Sequence, residues 1–339
     1  MINPTEPHVT PERIMQFAWG YIPPLVLEAA IRHQVFDVLD AGAKTVQEVH
    51  EATGASKRGL TAIMNALVGL EFLARDDQGR YSLTPESSAF LVSTKPGFHG
   101  GVIRHCSEHL IPKWLHLNDI VGAGKPVESV NQQAEGAEFF QKFVADIFPL
   151  SYPAARTLAQ NLNLDGGGPA IEVLDLAAGS GVWGIALAQA SERVRVTAVD
   201  WSGVIPVTKK MAAGFGLTNR FSFIEGDLLQ VPFGEHHTVA TLGHILHSEG
   251  EERSRALLQK TFRALASGGT IAIAEFLVNP DRRGPLNALF FAVNMLVNTD
   301  NGNTYSFEEI SSWLGEAGFV NPRTLDAPGP SPLILATKS

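Results

Sequence analysis

The stretch Val173-Leu174-Asp175-Leu176-Ala177-Ala178-Gly179-Ser180-Gly181-Val182-Trp183-Gly184 decides how this chain folds. An apolar run carrying one acid breaks into a turn in which Gly179, Gly181 and Gly184 match G-x-G-x-x-G. Such glycines permit a tight strand-to-helix turn and let a ligand approach the backbone closely. A strand is predicted over 171–176 and a helix over 182–190. The alternation then repeats. Strands are predicted at 194–199, 221–225, 238–242 and 270–275, the last entered through the turn Gly268-Gly269, with helices at 205–215 and 252–265. Alternating strand and helix gives an α/β fold with a doubly wound parallel sheet, whose ligands lie beyond the carboxyl ends of the strands.

Two further acids fall at such ends. Asp200 closes the second strand, 25 residues after Asp175, where a carboxylate can accept hydrogen bonds from both hydroxyls of a ribose. Gly226-Asp227 follows the third strand, where a side chain can meet an adenine edge. Asp175, four residues before Gly179, would repel a pyrophosphate at that turn, but it suits a cationic sulfonium ligand bearing an amino group. The tail, with strands at 320–325 and 332–337 around the loop 326–331, reads as a hairpin added to the sheet.

Upstream the pattern is mostly helical. Thr10-Pro11 is a helix start, Pro23-Pro24 interrupts, and a second helix runs through Leu25, Ala29 and Val35. Thr45-Val46-Gln47-Glu48 is a capping box. Leu60, Ile63, Met64, Leu67 and Val68 form one apolar helical face. Two short extended runs, 72–75 and 80–83, flank the turn Asp76-Asp77-Gln78-Gly79. Helix, turn, helix and hairpin outline a winged helix. Its basic residues, Lys57, Arg58, Arg75 and Arg80, are few and are offset by Asp76 and Asp77, so it reads as a module packing on itself or on a second subunit and not on DNA. Residues 100–165 are helical and aromatic, with a loop at Gly122, Gly124 and Pro126, and Gly166-Gly167-Gly168-Pro169 marks a boundary.

Composition narrows the class. The 339 residues are 45% hydrophobic and 18% charged, which excludes a disordered chain. Lys plus Arg number 26 against 35 Asp plus Glu, a net charge of −9, unsuited to coating nucleic acid or an anionic membrane. The single cysteine, Cys106, excludes an internal disulfide and any multi-cysteine metal site. The N-terminus lacks the pattern of a signal peptide, and the longest apolar stretch, 286–297, is too short to span a bilayer. A cytoplasmic protein with neither nucleic-acid nor membrane partner is expected.

With Leu174-Asp175-Leu176-Ala177-Ala178-Gly179-Ser180-Gly181, Asp200 and Asp227 in this order, nearly the whole chain resembles the class I S-adenosylmethionine-dependent small-molecule O-methyltransferases with an N-terminal winged-helix dimerisation domain. Ala177 stands where that family more often has glycine. The resemblance implies a winged-helix dimerisation domain over 1–98, connecting helices over 99–165 that contribute to a substrate pocket, and a Rossmann-like methyltransferase domain over 166–339. It also implies a homodimer, and the N-terminal helices carry more apolar residues than one winged helix needs, with Ile14, Phe17, Trp19, Tyr21, Ile22, Leu25 and Val26 in thirteen residues. The implied cofactor is S-adenosyl-L-methionine, held by Asp175, Gly179, Gly181, Asp200, Trp201, Asp227, Leu228 and Ser151.

The chemistry is expected on the next two strand ends. His247 and Glu275, 28 residues apart, lie just past consecutive strands and suit a general base and the carboxylate that orients it. A phenol of pKa ~10 needs a base during transfer, and a histidine of pKa ~6.5 can serve. The resemblance places the family's base at His247, usually followed by Asp or Asn and then Trp; here Ser248 and Glu249 follow. A second family carboxylate falls on Thr304. His244 is the alternative base or a substrate contact. No resident metal is expected, although His244, His247 and Glu275 are the residues that would hold one. Phe139, Phe143 and Ile147 would form one wall of an apolar acceptor pocket and the helix around Asn294 and Asn298 another, with Trp114, His105 and His109 closing it. The function expected is methyl transfer to a hydroxyl of a small aromatic or polyketide-like acceptor. Transfer to carbon or nitrogen, or a ligand-sensing regulator that has lost the reaction, are the alternatives.

Overall fold

The computed structural model describes residues 9–130, 140–141, 143–164, 168–329 and 331–339. The chain divides into two compact units, Met1–Ile111 and Pro112–Ser339. The division falls inside the connecting segment 99–165; part of the glycine run at 166–168 lies outside the described residues.

The first unit starts with helices Glu12–Ala18, Ile22–Arg32 and Val35–Asp40. The expected helix through Val35 is two helices, because Gln34 takes a left-handed conformation (φ 56°) between them. Helices Val46–Thr53 and Lys57–Gly69 then lead into the hairpin of β1 (Leu73–Arg75) and β2 (Tyr81–Leu83). The capping box is present: Thr45 Oγ1 accepts from Glu48 N at 3.3 Å, and Glu48 Oε2 accepts from Thr45 N at 2.7 Å. The apolar face of Lys57–Gly69 buries Leu60, Met64 and Leu67 against Phe36, Leu39, Val49 and Tyr81. On the wing, Arg80 is paired with Asp76 at 2.8 Å, which neutralises part of an already small positive charge.

One correction concerns hydropathy. The stretch 286–297 is not the longest apolar helical segment. Residues 12–32 are the one described stretch long and apolar enough to cross a membrane, at mean hydropathy 1.3. The helix is broken at 19–21, and its apolar side chains lie open: Ile14 is 72% exposed, Phe17 67%, Trp19 58% and Tyr21 58%.

The second unit is built on a seven-stranded sheet in the order β5-β4-β3-β6-β7-β9-β8. The strands are β3 (Ile171–Leu176), β4 (Val194–Asp200), β5 (Phe221–Glu225), β6 (His237–Gly243), β7 (Leu265–Ala274), β8 (Phe319–Leu325) and β9 (Leu333–Lys338). The first five are parallel, and β9 pairs antiparallel with both β7 and β8. Because side chains alternate across a strand, each strand feeds two cores. Val173, Val239 and Ala272 face the helices Phe148–Asn161 and Val182–Ala190, whereas Leu174, Ala240 and Ile271 face Leu246–Ala264 and Phe307–Ala317. A parallel sheet covered on both faces reads as near-continuous hydrophobic runs, which is why the strands were visible in the sequence.

Two elements differ from expectation at the end that matters. β7 begins at Leu265, and Gly268-Gly269 is an irregularity within it: the register slips between His237 and Val239, and Gly268 has φ +76°. The helix expected from Glu252 begins at Leu246 and is broken at Gly250 (φ 79°, ψ 170°). His247 therefore sits in a first helical turn set apart from the rest of its helix.

Candidate active site

All the polar groups singled out on the sheet lie at the carboxyl ends of β3 to β7. After β3 the chain turns through Ala177 (φ 52°), Gly179 (φ 55°) and Gly181 (φ 74°), left-handed conformations that glycine adopts at little cost. Space is tight there: a Cβ on Gly181 would lie 2.9 Å from Thr208, and one on Gly179 would meet Val144 at 3.4 Å.

Asp175 lies beneath this turn with no exposed surface. Its Oδ1 accepts from Thr241 Oγ1 at 2.7 Å and its Oδ2 from Gly184 N at 3.0 Å. Burial outweighs these bonds and pushes the carboxyl up to about 7. The group ties the start of helix Val182–Ala190 to β6 and offers no face to a ligand; any influence on one is through space.

Asp200 is half-buried at the end of β4. Gly179 N donates to its Oδ2 at 2.8 Å and Trp201 N to its Oδ1 at 2.7 Å, while desolvation pushes it up to about 6. A carboxylate offers about four acceptor sites, so two remain for hydroxyl donors. The Trp201 ring meets Phe140 edge-on at 6.0 Å. Asp227 is more committed: Oδ1 accepts from Leu229 N at 2.8 Å and Oδ2 from Arg253 Nη2 at 2.8 Å. Arg253 also pairs with Glu249. Their pairing was not read from the sequence, although their i,i+4 spacing on a helix is a legible ion-pair signal. The Leu228 side chain belongs to the core beside Leu174 and Phe233, and its carbonyl accepts from Lys260. Ser151 is half-buried in the first turn of helix Phe148–Asn161.

Beyond β6 and β7, Glu275 grips His247 with both oxygens. His247 Nδ1 lies 2.7 Å from Oε2, and His247 N donates to Oε1 at 3.2 Å. The histidine is 8% exposed and the glutamate 2%. Burial works against the Glu275 charge, but the charge and hydrogen bonds of His247 prevail and hold the carboxyl below its ordinary value. Phe291 packs edge-on to the His247 ring at 4.8 Å and stacks on Phe276 at 3.9 Å. Phe276, the residue after Glu275, escaped the sequence reading. His244 (φ 62°) packs on Phe276 at 5.3 Å. Burial drives its pKa down to about 4, and its Nδ1 has no hydrogen-bond partner among the described residues. Donor atoms of His244, His247 and Glu275 lie within 4.8 Å of one another. The three are a grouping that could hold a metal ion, and His247 and Glu275 within it are joined directly as a hydrogen-bonded dyad.

Of the other candidates, Asn294 and Asn298 are hydrogen-bonded to each other and Trp114 donates to Asn294. Phe143 and Ile147 are half-buried in the segment whose Val144 packs over Gly179. His105 and His109 belong to the first unit, their rings 5.2 Å apart. Phe139 lies outside the described residues. Thr304 is buried, its carbonyl accepting from Arg282.

A doubly wound sheet with an added antiparallel strand pair, a glycine turn, a strand-end acid with acceptor sites to spare and a His–Glu dyad on one rim define a methyltransferase of the nucleoside-binding α/β class. Comparison with known proteins agrees. Residues 114–320 match the O-methyltransferase domain family and residues 15–93 the O-methyltransferase dimerisation domain. The chain belongs to the O-methyltransferase family and is an S-adenosylmethionine-dependent enzyme. It is 30% identical over 336 residues to 3-hydroxy-5-methyl-1-naphthoate 3-O-methyltransferase of Streptomyces sahachiroi, covering 97% of this chain and 96% of that one. It is 27% identical to the tetracenomycin polyketide synthesis 8-O-methyl transferase TcmO of Streptomyces glaucescens, covering 97% of each. The crystal structure of an O-methyltransferase from Nostoc punctiforme superposes with a TM-score of 0.89 at 27% identity, over 97% of this chain and all of that one.

Proposed function

We propose that this enzyme methylates a phenolic hydroxyl of a small, flat, fused-ring aromatic acceptor, with His247 as general base and Glu275 orienting it, and that it works as a cytoplasmic homodimer. The observation that carries this reading is the double grip of Glu275 on His247. By accepting from Nδ1–H, the carboxylate fixes the tautomer that leaves Nε2 with a free lone pair. The proton of the acceptor hydroxyl passes to that nitrogen, and the Glu275 charge stabilises the imidazolium formed. His244, pushed down to about 4, is a far weaker base and serves as a neutral neighbour.

The donor set fits S-adenosylmethionine. Asp200, with acceptor sites to spare, takes the ribose hydroxyls. Gly179 and Gly181 keep side chains out of the turn, and Trp201 with Phe140 gives an aromatic wall. Asp227 with Arg253, beside Leu228, borders the adenine, and Ser151 faces the carboxylate end. When bound, the cofactor supplies a methyl group activated by a sulfonium. The chain contributes alignment, a fixed base and exclusion of water by Phe276 and Phe291, the terms that proximity and general-base catalysis require. The relative that acts on a hydroxynaphthoate supports a bicyclic acceptor.

The test is methyl transfer from labelled S-adenosylmethionine to 2-naphthol and to hydroxynaphthoates, followed by mass spectrometry. An O-methyl ether is expected. Failure to methylate any hydroxylated mono- or bicyclic aromatic would overturn the reading.

A further inference from the structure

The helix Leu286–Asn298 carries Phe291, Asn294 and Asn298 at positions i, i+3 and i+7, on one face. That face is tied to the base at both ends. Phe291 packs edge-on to the His247 ring. Past the other end, Thr299 Oγ1 accepts from Gly302 N at 2.9 Å, and Asn303 N donates to the carbonyl of His247 at 2.9 Å.

Between these ties the hydrogen bonds have a direction. An indole N–H can only donate. Trp114 Nε1 lies 3.1 Å from the Asn294 amide oxygen, so that atom is an acceptor. Asn298 presents its amide to the same Oδ1 at 3.1 Å and to the Asn294 carbonyl at 2.9 Å. Two acceptors call for a donor, so the atom facing them is the Asn298 NH₂; turning the amide over would set oxygen against oxygen twice. Asn298 Oδ1 is thereby left pointing elsewhere. Asn298 is 4% exposed, and its Oδ1 is buried without a hydrogen-bond partner among the described residues. A buried amide oxygen without a donor is costly, and native structures rarely leave one so unless a ligand or an ordered water supplies it.

We propose that Asn298 is a specificity-determining residue whose Oδ1 accepts a hydrogen bond from a second donor on the methyl acceptor, a hydroxyl or N–H distinct from the hydroxyl that is methylated. This rests on the functional reading above and deepens it: the acceptor is a dihydroxy or amino-hydroxy aromatic. Trp114 and Asn294 are positioning residues that hold the Asn298 amide in the accepting orientation. A site built to satisfy a ligand hydroxyl rejects the analogue lacking it far more strongly than an apolar pocket rejects a missing methylene.

The test compares 2-naphthol with the dihydroxynaphthalene isomers, by calorimetric binding to the enzyme loaded with S-adenosylhomocysteine and by kcat/KM. At least one isomer is expected to bind the native protein ~10-fold or more tightly than 2-naphthol. In Asn298→Leu, which matches the amide in size but cannot accept, that ratio is expected to fall below ~3. Trp114→Phe, which leaves Asn298 untouched but frees the Asn294 amide to turn, should lower the ratio partway and keeps the test open if the leucine variant folds poorly. The proposal is overturned if no isomer outbinds 2-naphthol, or if the preference survives in Asn298→Leu; a resident water satisfying Oδ1 gives this second result. Because the readout is a ratio of two bindings, its failure is distinct from failure of methyl transfer itself.

Discussion

Asp200, the proposed ribose acceptor, shows at the scale of a single residue how a strand-end position acquires open acceptor capacity. Its backbone donors, Gly179 N and Trp201 N, fix the carboxylate and leave half its acceptor capacity open. Charge-assisted hydrogen bonds contribute about 1.5–3 kcal/mol each, so Asp200→Ala is expected to weaken S-adenosylhomocysteine at least ~10-fold with the fold intact. Unchanged affinity by calorimetry would remove this carboxylate from the site. Asp200, His247 and Glu275 were legible in the sequence because position at a strand end is a one-dimensional property. The contrast between Asp175 and Asp227 was not. Whether an acid faces a ligand, a helix start or an arginine depends on partners distant in sequence, such as Thr241, 66 residues on, and Arg253, 26 residues on.

At the scale of elements, the buried acid under the glycine turn makes stability depend on pH. Asp175 is pushed up to about 7 in the folded protein, against ~3.9 for an ordinary aspartate. Between those values the native state holds a proton that the unfolded chain has lost, so stability falls as pH rises through that window, by up to ~4 kcal/mol from linkage. Asp175→Asn keeps an acceptor for Gly184 N and a donor for the Thr241 hydroxyl without the titration. Its melting temperature relative to native is expected to rise from pH 5 to pH 8; parallel curves would show that the carboxyl titrates normally. Gly302 offers a second test. A Cβ there would lie 2.5 Å from the His247 carbonyl and 2.3 Å from Thr299 Oγ1. Gly302→Ala must therefore shift the backbone at His247, and if His247 is the base, small misplacements cost ~10²-fold in rate. The expectation is a fall in kcat with S-adenosylhomocysteine affinity little changed. The strands were readable because both their faces are apolar. The early start of helix Leu246–Ala264 was not, because its first turn, broken at Gly250, carries polar residues whose helical state is set by the contacts of His247 and Ser254.

For the whole molecule, the N-terminal helices leave an apolar surface that a lone chain does not cover. Ile14, Phe17, Trp19, Tyr21 and Leu25 are all exposed on 12–32, and all but Ile14 lie within the segment 15–93 that matches the dimerisation domain. An exposed patch of that kind marks a partner surface, and two-fold pairing is its commonest solution. Light scattering at micromolar concentration is expected to give about twice the 36.5 kDa chain mass, and Phe17→Glu with Trp19→Glu should return it to a monomer. A native monomer would end the homodimer reading. The sequence showed this surface as an excess of apolar residues over what a winged helix needs.

The central claim is that the two parts of the sheet's carboxyl rim, after β3 to β5 and after β6 and β7, act in one reaction, with His247 removing the proton of an acceptor aligned against the cofactor site. The most direct measurement is the rate of His247→Gln on two acceptors, a neutral phenol and a nitrophenol already ionised at the assay pH. Glutamine keeps the size and hydrogen bonding of the site but cannot take the proton. With His247 as the base, kcat on the neutral phenol falls at least ~100-fold, S-adenosylhomocysteine affinity changes less than ~3-fold, and most of the loss disappears with the ionised acceptor. An equal loss on both acceptors would contradict the claim and make His247 a residue that holds geometry alone.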